Sequence, residues 1–204
     1  DSGKRDQLLT VILDDVNRLD RLITDISDSS RLDAELSRKK FEAIDIESLL
    51  LAFHQLRKFQ KRFEQKSLTI NIKKGEKQLL ILGHESRIVQ VIDNIVNNAI
   101  TFAPVNSNIN ISVSANTTDV KITIDDEGPG IPENKLDAIF ERFYSERPAA
   151  EKFGLHSGLG LSICKQIVEA HNGKIFAKNR RGYQNDIKGA RFIITLPIMN
   201  KSEV

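Results

Sequence analysis

An α+β fold, a two-layer sandwich of helices on a sheet with a long amphipathic helix in front of it, is the class that three observations predict. The first is a helical run near the start whose apolar residues are spaced alternately by three and four. The second is a set of short segments in which apolar and polar residues alternate, as half-buried strands require. The third is that these strand-like segments are interspersed with helical ones without the regular alternation of a doubly wound sheet. At 204 residues the chain has room for one good core plus a smaller element.

From Gln7 to about Arg31, Leu9, Ile12, Val16, Leu19, Ile23 and Ile26 form a heptad-like seam with charged residues elsewhere. So narrow a stripe needs a partner helix or marks an association surface; an ordinary helix packed on the following domain is the alternative. Ser37 to Lys40 is short, polar and basic and reads as a linker. Ile46 to Glu64 is expected to be helical, with Leu49, Leu50, Phe53, Leu56, Phe59 and Phe63 facing inward. Strands are expected at Leu68 to Ile72, Leu79 to Leu82, Asn108 to Ser114, and around Val120, Ile122 and Ile124. Glu85 to Phe102 has the helical period, with Ile88, Val91, Ile92, Ile95 and Val96 as its core face. A last helix opens at Gly160 and runs to His171, where Asn172-Gly173 stops it. Two strands, Lys174 to Lys178 and Ala190 to Leu196, close the domain at Pro197.

Lys plus Arg number 30 against 28 Asp plus Glu, so no general nucleic-acid binder is indicated. The single cysteine, Cys164, excludes an internal disulfide and a multi-cysteine zinc site, and suits a reducing, cytoplasmic setting. It shares an inward face with Leu161, Ile167 and Val168, which favours a core role. No apolar stretch is long enough to span a membrane, and no signal-peptide pattern opens the chain. The chain begins at Asp1 and its only methionine is Met199, which suggests a piece of a longer protein whose other parts hold any membrane segment.

Three motifs carry chemistry. Asp126-Glu127-Gly128-Pro129-Gly130 follows a strand; an ionised carboxylate there accepts hydrogen bonds only, as an exocyclic amine requires, and the glycines admit close backbone approach. The same five residues are also good turn chemistry after any strand. Asn94 and Asn98, four apart, share one face of a helix that is otherwise aliphatic, and asparagine is a poor helix former. Amide oxygens are hard ligands suited to Mg²⁺; a plain polar face is the alternative, which explains Asn97 better than its neighbours. Gly158-Leu159-Gly160-Leu161 opens the last helix with free N–H groups and a positive helix end that suit an anion. The preceding stretch from Pro132 to Ser157 has few aliphatic anchors and reads as a lid, with Phe140-Glu141-Arg142-Phe143-Tyr144 inside it.

In combination these motifs resemble the histidine-kinase branch of the GHKL ATPases, whose ATP-binding domain has the Bergerat fold. Asn94 and Asn98 look like its asparagine box, Asp126, Gly128 and Gly130 its first glycine box, Phe140 to Tyr144 its phenylalanine box, and Gly158, Gly160 and Leu161 its second glycine box. Gly189-Ala190-Arg191-Phe192 is similar to the family's last glycine and strand, and Asp28 to Leu32 to the end of its second dimerisation helix. Phe143 to Pro148 and Gln166 to His171 resemble the ChvG group of envelope- and acid-sensing kinases of alphaproteobacteria. The resemblance covers nearly the whole chain. It divides it at residue 38, with part of a dimerisation and histidine-phosphotransfer domain before an ATP-binding domain over 39–204.

The resemblance implies an ATP site lined by Asn94, Asn98, Asp126, Gly128, Gly130, Ile131, Arg142, Gly158, Leu159, Gly160 and Leu161. Asp126 would hold the adenine amine, Asn98 helped by Asn94 would bind Mg²⁺, and Arg142 or Arg147 would reach the γ-phosphate. It further implies a cytoplasmic region of a bacterial inner-membrane sensor. The partners it implies are a second copy of the chain, through the helical segment, and a response regulator receiver domain. Two departures stand out. Thr101 occupies a position where many members carry Lys or Arg, leaving Arg142, Arg147 or Lys152 to supply that charge. None of His54, His84, His156 and His171 has the acidic residue and proline that follow the family's phosphoacceptor. Another ATP-hydrolysing member of the superfamily, or a degenerate docking module, is the competing reading.

Overall fold

The structure is a computed structural model that describes residues 40–58, 67–72, 79–144 and 158–199, together with Arg5, Leu8, Leu9, Ile12, Leu13, Val16, Ile23 and Ser27 of the first 39. Among the described residues from 40 onwards, seven strands and three α-helices follow in order: β1 (Glu42–Asp45), α1 (Ile46–Lys58), β2 (Ser67–Ile72), β3 (Leu80–Gly83), α2 (Glu85–Phe102), β4 (Asn108–Ala115), β5 (Asp119–Asp125), α3 (Gly160–Ala170), β6 (Lys174–Arg181) and β7 (Ile187–Pro197). Between β5 and α3 lie two 3-10 turns, Glu133–Lys135 and Ala138–Phe140.

Five strands form one sheet in the order β2-β4-β5-β7-β6, and β1 pairs with β3 in a small second sheet. Only β2 and β4 run parallel; the other neighbours in the large sheet are antiparallel. Alternation sets which face is covered. Ile109, Ile111 and Val113 of β4, Val120, Ile122 and Ile124 of β5, and Phe192, Ile194 and Leu196 of β7 all point into the core. The helices lie on that face. In α2, Ile88, Val91, Ile92, Ile95, Val96 and Ala99 are buried, a three-four spacing that confirms the expected core face and adds Ala99 to it. In α3 the inward residues are Ile163, Cys164, Ile167 and Val168. Each fully buried Ile or Val contributes roughly 1.5–3 kcal/mol relative to exposure, which makes this layer the main source of stability.

Several expectations are corrected in detail. Leu56, expected to face inward, is 74% exposed, because the buried face of α1 ends at Phe53. Strand β1 is an element that the alternation rule passes over: its four residues hold one buried side chain, Ile44. The closing strands are longer than expected, reaching Arg181 and starting at Ile187. Helix α3 ends in a Schellman arrangement, in which the Gly173 N–H reaches the Val168 carbonyl (2.9 Å) and that of Asn172 the Glu169 carbonyl (2.9 Å). Asn172, not Gly173, takes the left-handed conformation there (φ 56°).

The eight described residues of the first 39 are helical, and Leu9, Ile12, Val16 and Ile23 of the expected seam are each about half exposed or more. Leu19, Ile26, the Asp28–Leu32 motif and the rest of the linker before Lys40 lie outside the described residues, as do Phe59 and Phe63. No helix among the described residues is long and apolar enough to cross a membrane.

Candidate functional site

Asp126 begins the turn at the end of β5 and is 4% exposed. Its backbone continues the β5–β7 ladder by one step, the Asp126 N–H donating to the Ala190 carbonyl (3.1 Å). Its side chain is anchored too. Oδ1 accepts from the N–H of Gly128 (2.8 Å) and the N–H of Ala190 (3.0 Å), while Oδ2 makes no hydrogen bond among the described residues. Burial pushes the Asp126 carboxyl above the ordinary range, and the two backbone donors and Arg180 partly offset that. One carboxylate oxygen is therefore fixed, and the other is left for a donor from outside.

The turn is gripped from behind. Arg180 Nη1 donates to the Asp126 carbonyl (2.6 Å), and Arg191 forms a two-pronged pair with Asp125, Nε to Oδ1 and Nη2 to Oδ2 at 2.7 Å each. Gly189 lies against the Asp126 carbonyl at φ 140°, and a Cβ there would collide with that oxygen. Farther along, Ile131 N–H donates to Asn179 Oδ1 (2.8 Å), and Asn179 Nδ2 donates to the Ile131 carbonyl (2.6 Å). Gly130, at φ 79°, rests on Asn179 Oδ1 and Ile187.

Helix α2 lies beside both ends of the site. Its last residue, Phe102, presents its carbonyl to Gly128, where a Cβ would sit 3.2 Å from that oxygen. Just over two turns earlier, Asn94 Nδ2 donates to the Gly160 carbonyl (3.3 Å), joining the asparagine face to the start of α3. Asn98 is half-buried and makes no hydrogen bond among the described residues. Asn97 differs: its Nδ2 donates back to Asp93 Oδ2 (3.0 Å), a local helix bond of the kind a polar face provides. Thr101 Oγ1 donates to the Asn97 carbonyl (3.0 Å), so its hydroxyl is already engaged by its own helix.

At the start of α3, Leu159 is buried and its carbonyl accepts from Ser162 Oγ (2.8 Å). Gly160 and Leu161 are half-buried. Gly158 accepts from the Phe143 N–H (3.0 Å), so the phenylalanine segment and the glycine segment meet. In that segment Phe140 is buried edge-on to Phe192 (centroids 6.4 Å), and Arg142 is exposed with no hydrogen bond or ion pair among the described residues. Of the expected lid from Pro132 to Ser157, residues 132–144 are described and hold the two 3-10 turns, whereas residues 145–157, with Arg147, Lys152 and His156, lie outside the described residues. Burial pushes the Cys164 thiol up to about 12, which leaves it a core residue rather than a nucleophile.

Sequence reasoning missed the backing residues Asn179, Arg180 and the Ala190 amide. One signal was present: asparagine is disfavoured in strands, and Asn179 lies inside β6, beyond the point where the strand was expected to end.

Residues 83–200 match the family described as histidine kinase-, DNA gyrase B-, and HSP90-like ATPase. The chain is 43% identical over 203 residues to the sensor protein ChvG of Rhizobium meliloti (strain 1021), covering 97% of this chain and 35% of that protein. It thus spans about a third of the length of the curated relatives it matches first. Among solved structures, the nucleotide-free catalytic domain of histidine kinase ThkA shares 29% identity at a TM-score of 0.65, over 78% of this chain and 98% of that one. ThkA in complex with the response regulator TrrA matches at 26% identity and a TM-score of 0.70, over 95% of this chain and 51% of that one.

Proposed function

The chain belongs to the histidine kinase-, DNA gyrase B-, and HSP90-like ATPase family, in its sensor-kinase branch, and from that premise we propose that it binds Mg-ATP and serves histidine phosphorylation. The reading is carried by Asp126. A buried carboxylate with one oxygen fixed by two N–H groups and the other unbonded is what recognition of the adenine amine needs. Gly128, Gly130 and Ile131 form the wall beside the purine. Leu159, Gly160 and Leu161 bring the start of α3 to the phosphates, with Gly158 and Arg142 next to them.

Two side chains fit a Mg²⁺ ion. Among the described residues the amide of Asn98 has no partner, and Asn94 donates through Nδ2 to the Gly160 carbonyl, so the two amide oxygens are offered as hard ligands. The ion would supply charge neutralisation on the phosphates. The protein's own share of phosphoryl transfer is positioning: fixing the base at Asp126 and aligning the triphosphate along α2 and the start of α3.

The phosphoryl group passes from ATP to a histidine imidazole and then to an aspartate of a response regulator. His54 and His171 are not that acceptor: His54 Nε2 bonds the Leu68 carbonyl and His171 uses both ring nitrogens inside the fold. Residues 1–38 would correspond to the second helix of a dimerisation and phosphotransfer domain, through which the parent protein would pair with a second copy of itself. The complex of the ThkA kinase with its regulator supports the receiver-domain partner. In the parent protein this region lies on the cytoplasmic side of the inner membrane.

Titration calorimetry with a non-hydrolysable ATP analogue, with and without Mg²⁺, tests the reading against Asp126→Asn. Saturable Mg-dependent binding that the substitution abolishes is the expected result. A folded wild type that binds no nucleotide would overturn it in favour of a docking module.

A further inference from the structure

We propose that Asn179 is a positioning residue for the nucleotide, holding the far end of the loop from Glu127 to Ile131 in its binding shape; the inference rests on the ATP-binding reading above. That loop hangs between two supports. Its near end is fixed to β7 through the Ala190 N–H and Asp126 Oδ1 (3.0 Å). Its far end is fixed to β6 by one side chain, because the Asn179 amide both accepts from the Ile131 N–H (2.8 Å) and donates to the Ile131 carbonyl (2.6 Å).

This pairing satisfies both backbone groups of Ile131, as a neighbouring strand would, yet Ile131 stands outside the sheet. Neither group has another partner among the described residues. The amide also sets the height of Gly130, whose missing side chain would stand 2.6 Å from Asn179 Oδ1. Asn179 Nδ2 extends the grip to Glu133 Oε1 (3.2 Å), and Arg181 pairs with the same carboxylate. The residue therefore sits behind the loop and touches the nucleotide only through it.

Removing the amide frees Ile131 and leaves the Asp126 anchor intact. Asn179→Ala is expected to weaken binding of the ATP analogue about tenfold, less than Asp126→Asn, because a flexible loop must be ordered on binding. Amide hydrogen exchange at Ile131 should accelerate while exchange at Ala190 stays as in the wild type. Asn179→Gln, which retains both functions on a longer stem, should recover part of the affinity.

Calorimetry and site-resolved exchange on the three proteins decide the matter. Wild-type affinity in a folded Asn179→Ala, with the wild type itself binding, removes this inference and leaves the ATP reading standing. Failure of the wild type to bind removes the ATP reading instead. If Asn179→Ala does not fold, the Gln variant decides: binding weakened with an undiminished unfolding midpoint supports positioning. Full affinity in that variant, or loss of folding there too, assigns Asn179 to the scaffold.

Discussion

At Asp126 the protein meets its own functional group with two backbone N–H donors and braces the turn with Arg180, Arg191 and Gly189. At Asn98, on the helix that borders the same site, the side chain has no partner among the described residues, and Arg142 has none among them either. The proposed base-recognition side is held by bonds within the protein, while the proposed phosphate side keeps polar groups without partners among the described residues. Specificity for one base needs a fixed acceptor, because a misplaced carboxylate loses its discrimination. A triphosphate with its ion brings strong charges of its own, so groups that meet it on arrival are sufficient.

This contrast is broken or sharpened by substitution. The largest effect is expected for Asp126→Asn: an amide N–H₂ in place of Oδ2 confronts the adenine amine donor to donor, and affinity should fall by about 100-fold, or ~2.7 kcal/mol. The unliganded domain should not lose stability, since burial disfavours the ionised carboxylate and an amide oxygen still accepts from Gly128 and Ala190. A marked fall in the unfolding midpoint would contradict the separation of recognition from folding. Next comes Gly189→Ala, which forces a Cβ onto the Asp126 carbonyl from a backbone at φ 140°. It should cost about 2 kcal/mol or more of unfolding free energy in denaturant titration. A neutral result would mean that the turn moves freely.

On the other side, Asn98→Ala should weaken Mg-dependent binding about tenfold and leave the unfolding midpoint unchanged, because no bond to a described residue is lost. Equal loss with and without Mg²⁺ would sink the metal-ligand role.

The smallest effect lies away from both sides. His171 Nδ1 donates to the Ile167 carbonyl (2.7 Å) and Nε2 accepts from the His84 N–H (3.0 Å), with Phe41 stacked on its ring and His84 edge-on at 6.0 Å. Burial holds its pKa below the usual 6.5, so the unfolded chain takes up a proton first. The contribution of His171 is full above pH 6.5, falls as the pH drops from there towards the lower folded value, by at most about 1.4 kcal/mol per pH unit, and levels off below it. His171→Gln should flatten that slope in pH-dependent unfolding; an unchanged slope would assign it to other groups.

How much of this was legible from residues follows from how local each signal is. Helix α2 matched its expected limits because a three-four apolar period over eighteen residues has one reading. The short strand β1 has only Ile44 buried, too little to register as alternation. Leu56 was misplaced because the period of α1 continues after the surface it packs on has ended. At the site, Asp126, Asn94, Asn98, Gly128 and Gly130 announced themselves by residue type against context. Their supports did not: Asn179 lies 48 residues from Ile131, and Ala190 lies 64 from Asp126. A hydrogen bond across such a distance leaves no mark in local pattern.

That last separation has a bearing on how the protein comes into being. Asp126 is synthesised 64 residues ahead of the amide that fixes its Oδ1. Chains are made from the amino end, and contacts of long sequence separation form late. The strands β4 and β5 are therefore synthesised well before the amide that fixes the proposed adenine acceptor, and a half-made chain carries every residue of the asparagine box before that acceptor is held in place.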